Sequence, residues 1–417
     1  VTKWAALLTL LAATATAISA EVQPPLPPGP EALAAIDERP TVREALALYA
    51  AAESKARALE VGPHEFTVGS TLQERDVEGE GTYREWEATL VRGLRWPGKV
   101  KVDHELGDVE IEFAENALAD ARHAEARTLL EAWFGWLREE STAERDRERA
   151  AVLDRTVRAV RRQAEVGDAS TMQLDLAEAE AARAEAVAAR SAVSARQARR
   201  SLAMAFPALT VPEQPPRVSD PAAPERALED WPEVILERSH ELRLAELEAQ
   251  RSELHAERVD RDRWPDPVLG MRVLDERDGA EEAVGLVFAM QLPSRHRSAL
   301  AVQARRESEA AVARLELRQR EISTIARQDV EDVRAALDSW PQMAVAAERA
   351  ARFQQRAERA YSLGEASLGE FLLALASATD TIQDARLARL DAHQALARLA
   401  IDAHELWAPA GHDEHSH

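Results

Sequence analysis

The chain has 417 residues, no cysteine, and 74 Asp and Glu against 52 Lys and Arg, a formal net charge of -22. So acidic a surface repels nucleic acid, and no basic patch interleaved with aromatics offsets it, which excludes nucleic acid as a partner. The missing cysteines exclude disulfides, thiol chemistry and a lipid-modified cysteine. Aromatics make up only 5% while Ala, Glu, Arg and Leu dominate, a composition of long helices rather than of a conventional globular core.

Residues 1–20 read as an export signal: Lys3 supplies the positive start, 4–17 are apolar, and AISA at 17–20 offers a small residue for cleavage before Glu21. The apolar run falls short of the roughly 20 residues of a spanning helix, the alternative reading being an uncleaved anchor. Residues 21–40 form a Pro-rich arm, whose VQPPLPPGP stretch is expected to be extended. A first repeat at 41–206 opens with a helix from Thr41, where Thr41 and Glu44 have capping-box spacing, and Gly62-Pro63 ends it. HEFTVGSTLQERD and YREWEATLVRGLRWPG then carry a strand pair. In the second, Trp86, Ala88, Leu90, Leu94 and Trp96 alternate, broken by Arg92. The charged runs at 74–76 and 275–278 fit loops, whereas Arg92 and Arg95 must face a polar lumen or a membrane interface if they lie within the strand.

After Pro97, residues 102–166 contain no proline and would span about 97 Å as one helix. A Gly tip turns the chain back as a second helix to Phe206. Residues 207–232 hold seven prolines and form a linker or equatorial region. The second repeat, 233–407, runs through a helix from about His240, strands PVLGMRVLDERDG and AVGLVFAMQLPSR, and a long helix over 294–363 with a kink at Trp340-Pro341. It then passes a second Gly tip and returns as helix to about Trp407. The residues 408–417 are a His-rich tail.

The halves repeat at an offset of 197 residues, which lays VGDASTMQLDLAEA from Val166 on LGEASLGEFLLALA from Leu363. The match continues through Ala195/Ala392, Ala198/Ala395, Leu202/Leu399 and Ala203/Ala400, so one architecture is built twice. The returning helices carry Ala around most of their circumference, which suits close neighbours on both sides in a ring of helices, the bland alternative being a solvated two-helix rod. In the tail, His412, His415 and His417 stand among Asp413 and Glu414. Imidazoles with carboxylates suit zinc, cobalt or nickel, yet a flexible tail offers no fixed geometry, so the reading is a weak chelator or a neutral low-complexity end. Phosphate-loop, HExxH and nucleophile-elbow motifs are absent, so no enzymatic activity and no cofactor are expected.

The export signal, the two repeats of helix, strand pair, long helix, tip and returning helix, the LRWPG and QLPSR ends of the hairpins, and the VGDAS and LGEAS tips together resemble the TolC-like outer-membrane efflux protein family. The stretch RSHELRLAELEAQRSELHAERVDRDRWPDPVLGMRV further resembles its cobalt/zinc/cadmium-resistance branch. The resemblance implies a mainly α fold with a small β part. Long helical hairpins would form a periplasmic tunnel, and each protomer of a homotrimer would give four strands to one twelve-stranded β-barrel in the outer-membrane lipid. It implies a passive exit duct of a tripartite pump for heavy-metal cations, working with a periplasmic adaptor and an inner-membrane pump of the resistance-nodulation-division type. Within transport, the alternatives are a duct for drugs and organic solutes or for type I secretion. From another class, the alternative is a periplasmic coiled-coil adaptor or structural protein. By the same resemblance Gly167, Asp168, Ala169, Ser170, Gly364, Glu365, Ala366 and Ser367 dock the adaptor. Glu370, with Gln173 as its equivalent in the first repeat, lines the periplasmic gate.

Overall fold

The computed structural model describes residues 25–408, so the export signal and the histidines of the tail lie outside the described residues. α1 (Gly29–Asp37) and α2 (Pro40–Val61) precede β1 (Phe66–Val77), β2 (Gly81–Gly93), α3 (Pro97–Glu165) and α4 (Thr171–Ala205). The second half supplies α5 (Trp231–Arg238), α6 (His240–Arg261), β3 (Val268–Glu276), β4 (Glu281–Ala289), α7 (Arg295–Ser362) and α8 (Leu368–Asp402). α4 and α8 begin and end 197 residues apart, so the sequence offset is also the structural one.

Several elements differ from what the sequence pattern predicts. The prolines do not keep the arm extended throughout, because Pro30 occupies the first turn of α1, where its missing N–H costs nothing. α2 likewise starts at Pro40, with Arg39 as an uncapped N-cap. Thr41 and Glu44 therefore make no capping box, and Thr41 instead donates its hydroxyl to Glu125 Oε1 at 2.5 Å. α7 continues as helix through Pro341, where the sequence predicts a kink. α8 ends at Asp402 rather than near Trp407, and Trp407 folds back into the core.

All four strands pair antiparallel in the order β1-β2-β3-β4, so the two repeats meet at the β2–β3 pairing. The register gathers the apolar residues on one face. Leu72, Trp86, Val273 and Val284 lie near one end of it, while Phe66, Arg92, Leu269 and Phe288 lie at the helix-proximal end. Between Phe66 and Leu72 this band is about 20 Å long along the strand. Leu72, Leu286, Val68 and Val284 are 74 to 92% exposed, which is not how a strand face packed on a core behaves. The opposite face carries the polar residues Thr67, Thr71, Gln73, Glu85, Glu87, Thr89 and Arg272, with Val91, Leu274 and Val287 among them. Glu74, Arg75 and Asp76 lie inside β1 rather than in a loop.

α3 has 69 residues and spans about 100 Å. It packs against α2, α4, α6 and α8, while α8 also packs along α7. The main core lies at mid-length, where Trp133, Phe134, Trp136, Leu137, Phe206 and Ile401 are buried. A second apolar cluster lies toward the tips, and a third joins α5, α7 and α8. Among the described residues no helix is long and apolar enough to cross a membrane.

Candidate functional site

Each helical hairpin ends in the same turn, and the sequence dictates it. Gly167 and Gly364 adopt φ of +85° and +76°, a left-handed backbone that a Cβ strains. Around them the amide of Asp168 bonds the carbonyl of Gln163 at 2.8 Å, and that of Glu365 bonds Ala360 at 2.9 Å. Gly167 bonds Ala164 and Gly364 bonds Tyr361, completing the paired bonds of a Schellman C-cap in both repeats. The chain then re-enters helix through a reciprocal capping box. Ser170 accepts from the amide of Gln173 at 3.2 Å while Gln173 Oε1 accepts from the amide of Ser170 at 2.8 Å. Ser367 and Glu370 repeat this at 3.3 and 2.7 Å.

The predicted gate residue is therefore, within one protomer, the third residue of a helix whose carboxylate folds back on its own cap. Glu370 is exposed, and the amide and hydroxyl of Ser367 hold its carboxyl below the usual carboxylate range. Gln173 is its half-buried counterpart. The tips are brought side by side by Leu368, Phe371 and Leu375 of α8, which pack on Leu153, Val157 and Val160 of α3. Gly167, Asp168, Ser170, Gly364, Glu365 and Ser367 are exposed, and Ala169 and Ala366 are half-buried. Both tips thus present the same small, polar surface at one end of the molecule. His412, His415 and His417 lie outside the described residues.

A charge network that the sequence reading did not identify fastens the sheet to the helices. Lys99, only 2% exposed, reaches Asp262 Oδ1 and Asp266 Oδ1, each at 2.9 Å. His64 Nε2 lies 2.8 Å from Asp266 Oδ2. Arg95 is not in β2 at all: it donates to Asp103 Oδ2 at 2.7 Å and to the carbonyls of Leu59 and Glu60, capping the end of α2. Arg258 Nε donates to the other Asp103 oxygen at 2.6 Å. Burial opposes ionisation of Asp262 and Asp266, but hydrogen bonds from Arg258 and Lys99 to the first, and from Lys99 and His64 to the second, hold both below the usual range. Arg92 is in the strand as expected, at the helix-proximal border of the apolar face, with its guanidinium 4.9 Å from the centre of the Phe66 ring. The signal available in the sequence was Arg95 itself, a charge that did not suit a strand.

A small four-stranded sheet is thus carried on two very long helical hairpins, with a mid-length core between. Neither a protein-family model nor a curated protein matches the chain in sequence. Among solved structures, a membrane protein from Pseudomonas aeruginosa matches at 17% identity with a TM-score of 0.73, over 90% of both chains. CusC, described for its folding and transmembrane channel formation, matches at 14% and 0.74, over 91% of this chain and 92% of its own. The outer membrane protein VceC from Vibrio cholerae matches at 16% and 0.71, over 90% and 95%. The likeness is one of fold along nearly the whole length, sheet and hairpins together.

Proposed function

We propose that the chain is one protomer of a trimeric outer-membrane exit duct that serves a tripartite pump and passes metal cations. The observation that carries this reading is the sheet. Its apolar face is solvent-exposed over a band about 20 Å long, and β1 and β4 each leave an edge unpaired in the protomer. Open edges are not tolerated in lipid, so four strands must meet strands of other copies in a closed barrel. In such a barrel the apolar face meets lipid, Arg92 lies at the membrane interface, and the polar face lines the pore.

The helices support the same assembly. α4 exposes Met172, Val193 and Met204, and α7 exposes Val302, Val312, Val345 and Phe353, apolar side faces that neighbouring protomers would cover to close a tunnel. The exposed Gly-Asp-Ala-Ser and Gly-Glu-Ala-Ser tips would dock a periplasmic adaptor, and the adaptor would couple the duct to an inner-membrane pump of the resistance-nodulation-division type. Three Glu370 carboxylates would meet near the periplasmic entrance. With the net charge of -22 per chain, they favour cations over anions. The protein itself then supplies no chemistry: it offers a path, and the partner supplies the energy.

Growth tests this reading. Deleting the gene should sensitise cells to zinc, cobalt or cadmium and leave tolerance to organic dyes and detergents unchanged, with resistance restored from a plasmid. Sensitivity confined to the organic compounds would transfer the duct to another cargo. No sensitivity of either kind would remove the transport reading.

A further inference from the structure

At mid-length α3, α6, α7 and α8 converge on a buried set of charges far from both sheet and tips. α8 brings Arg398 and Asp402, and α7 brings Asp329. α3 brings Asp120, His123 and Arg127, and α6 brings His240 and Glu241, with His404 just beyond α8. Asp402 is 2% exposed and Asp329 4%. Arg127 Nε donates to Asp402 Oδ1 at 2.7 Å, and His123 Nε2 lies 3.4 Å from the same oxygen. Arg398 Nε lies 3.1 Å from Asp329 Oδ1 and 3.8 Å from Asp402 Oδ2, so one guanidinium faces both carboxylates. Glu241 Oε1 is 3.8 Å from Arg127 Nη1 and 4.0 Å from His123 Nε2. The His404 ring lies against both His123 and His240, with centroids 4.7 and 4.4 Å apart. At the margin, Arg138, Asp332 and Asp391 line one recess with Asp329 and Arg398, the Arg318 charge acts on Asp120, Arg122 of α3 lines a second recess with the three histidines, and Arg238 of α5 reaches Glu405.

The second oxygens, Asp329 Oδ2 and Asp402 Oδ2, are both buried and both lack a hydrogen-bond donor. Two buried carboxylates that face one guanidinium repel each other when both are ionised, and what this pair lacks is one donor. A proton supplies it. We infer that Asp329 and Asp402 share a single proton, and that this proton latches α7 to α8 at the middle of the helical body. The latch adjoins the apolar cluster in which Ala326, Val330 and Val333 of α7 meet Leu399 of α8 and Trp231 of α5, so its release loosens α7 where three helices pack.

The electrostatics run the same way. Burial, then the neighbouring Asp402, push Asp329 up to about 7. Burial also opposes ionisation of Asp402, but hydrogen bonds from His123 and Arg127 outweigh it and hold that carboxyl well below the usual range. Burial opposes ionisation of Glu241 too, but His123, a backbone amide, Arg127 and Ser239 together hold it below the usual range, whereas burial and the Glu241 charge raise Asp120. Asp329 is thus raised above its unfolded value of about 4, so its contribution is complete below that value and is lost as pH rises through about 7. Asp402 is depressed, so its contribution is present above about 4 and is lost as pH falls further. The latch holds in mild acid and loosens toward neutrality, with its opening constant rising about tenfold per pH unit through that window.

The inference concerns packing within a protomer and stands or falls separately from the duct reading. Hydrogen exchange of the purified full-length protein, corrected for intrinsic chemical rates, tests it in peptides covering 322–337 and 395–404. Between pH 5 and 7 the opening constant there should rise on the order of 50-fold, while the tips, 163–173, stay level. In Asp329→Asn, whose amide is a donor at every pH, the rise should vanish. Equal slopes in the variant and the wild type would overturn the latch. If the variant fails to assemble, the wild-type profile decides alone: protection independent of pH, or a rise just as large at the tips, overturns the latch.

Discussion

Replacing Lys99 with Met should open the junction between sheet and helices. The Lys99 ammonium is 2% exposed and lies 2.9 Å from each of two carboxylates, so removing it leaves Asp262 and Asp266 with an uncompensated charge. Breaking a buried ion pair from one side costs about 3 to 5 kcal/mol. The lower end applies here, because Asp262 keeps Arg258 and Asp266 keeps His64. About 3 kcal/mol corresponds to a roughly 100-fold larger population of the opened junction. The readout is hydrogen exchange at Leu94 and Trp96, whose amides donate to the Pro267 carbonyl at 2.8 Å and to Asp266 Oδ1 at 3.4 Å. Adding Asp266→Asn to Lys99→Met should recover part of the loss, because one of the stranded charges is gone. A change below threefold in the single variant would refute the account of the junction as a charge-locked joint.

Acid should open the same joint. Asp262 and Asp266 are held below their unfolded values, so their contribution is present above about pH 4 and is lost as pH falls below it. Exchange protection at Leu94 should therefore be level from pH 8 to 5 and drop below 4, and a drop already at pH 6 would point to another group. Gly167→Ala and Gly364→Ala should each cost about 1 kcal/mol through backbone strain alone, since an added Cβ meets nothing within 4 Å at either site. Limited proteolysis at the tips should accelerate roughly fivefold, and unchanged cleavage would remove the left-handed turn as their reason. Glu370→Gln keeps the capping box that Gln173 already forms and removes only the charge. In planar bilayers it should lower cation preference without altering thermal stability, while the exposed Glu358→Lys should leave both unchanged. Indistinguishable currents from the two variants would leave Glu370 as a helix cap and nothing more.

Much of the architecture was legible because it is written in local, periodic signals. The strand alternation through Trp86 to Leu90 and Val284 to Phe288, the tip glycines and the offset of 197 all report backbone conformation or burial within a few residues. Capping was legible in kind but misplaced. The Thr41/Glu44 spacing points to a box where Pro40 already begins the helix, while Ser170/Gln173 and Ser367/Glu370 carry the same spacing beside the tips and form the box. The charge networks were not legible, because their partners lie far apart in the chain. Lys99 meets Asp262, and Arg127 meets Asp402 across 275 residues. In a chain with 74 acids, nothing local separates a buried carboxylate from a solvated one.

The central claim is that copies of this chain close a barrel in the outer membrane. The direct measurement is fractionation of cells that produce the full-length protein, followed by mass determination of the detergent-extracted species and single-channel recording. The account predicts outer-membrane fractions, a mass of three chains, and discrete cation-preferring current steps once the species is inserted into a bilayer. A monomer recovered in the soluble periplasmic fraction, or a trimer that leaves the bilayer insulating even when its periplasmic end is opened by mutation, would contradict it.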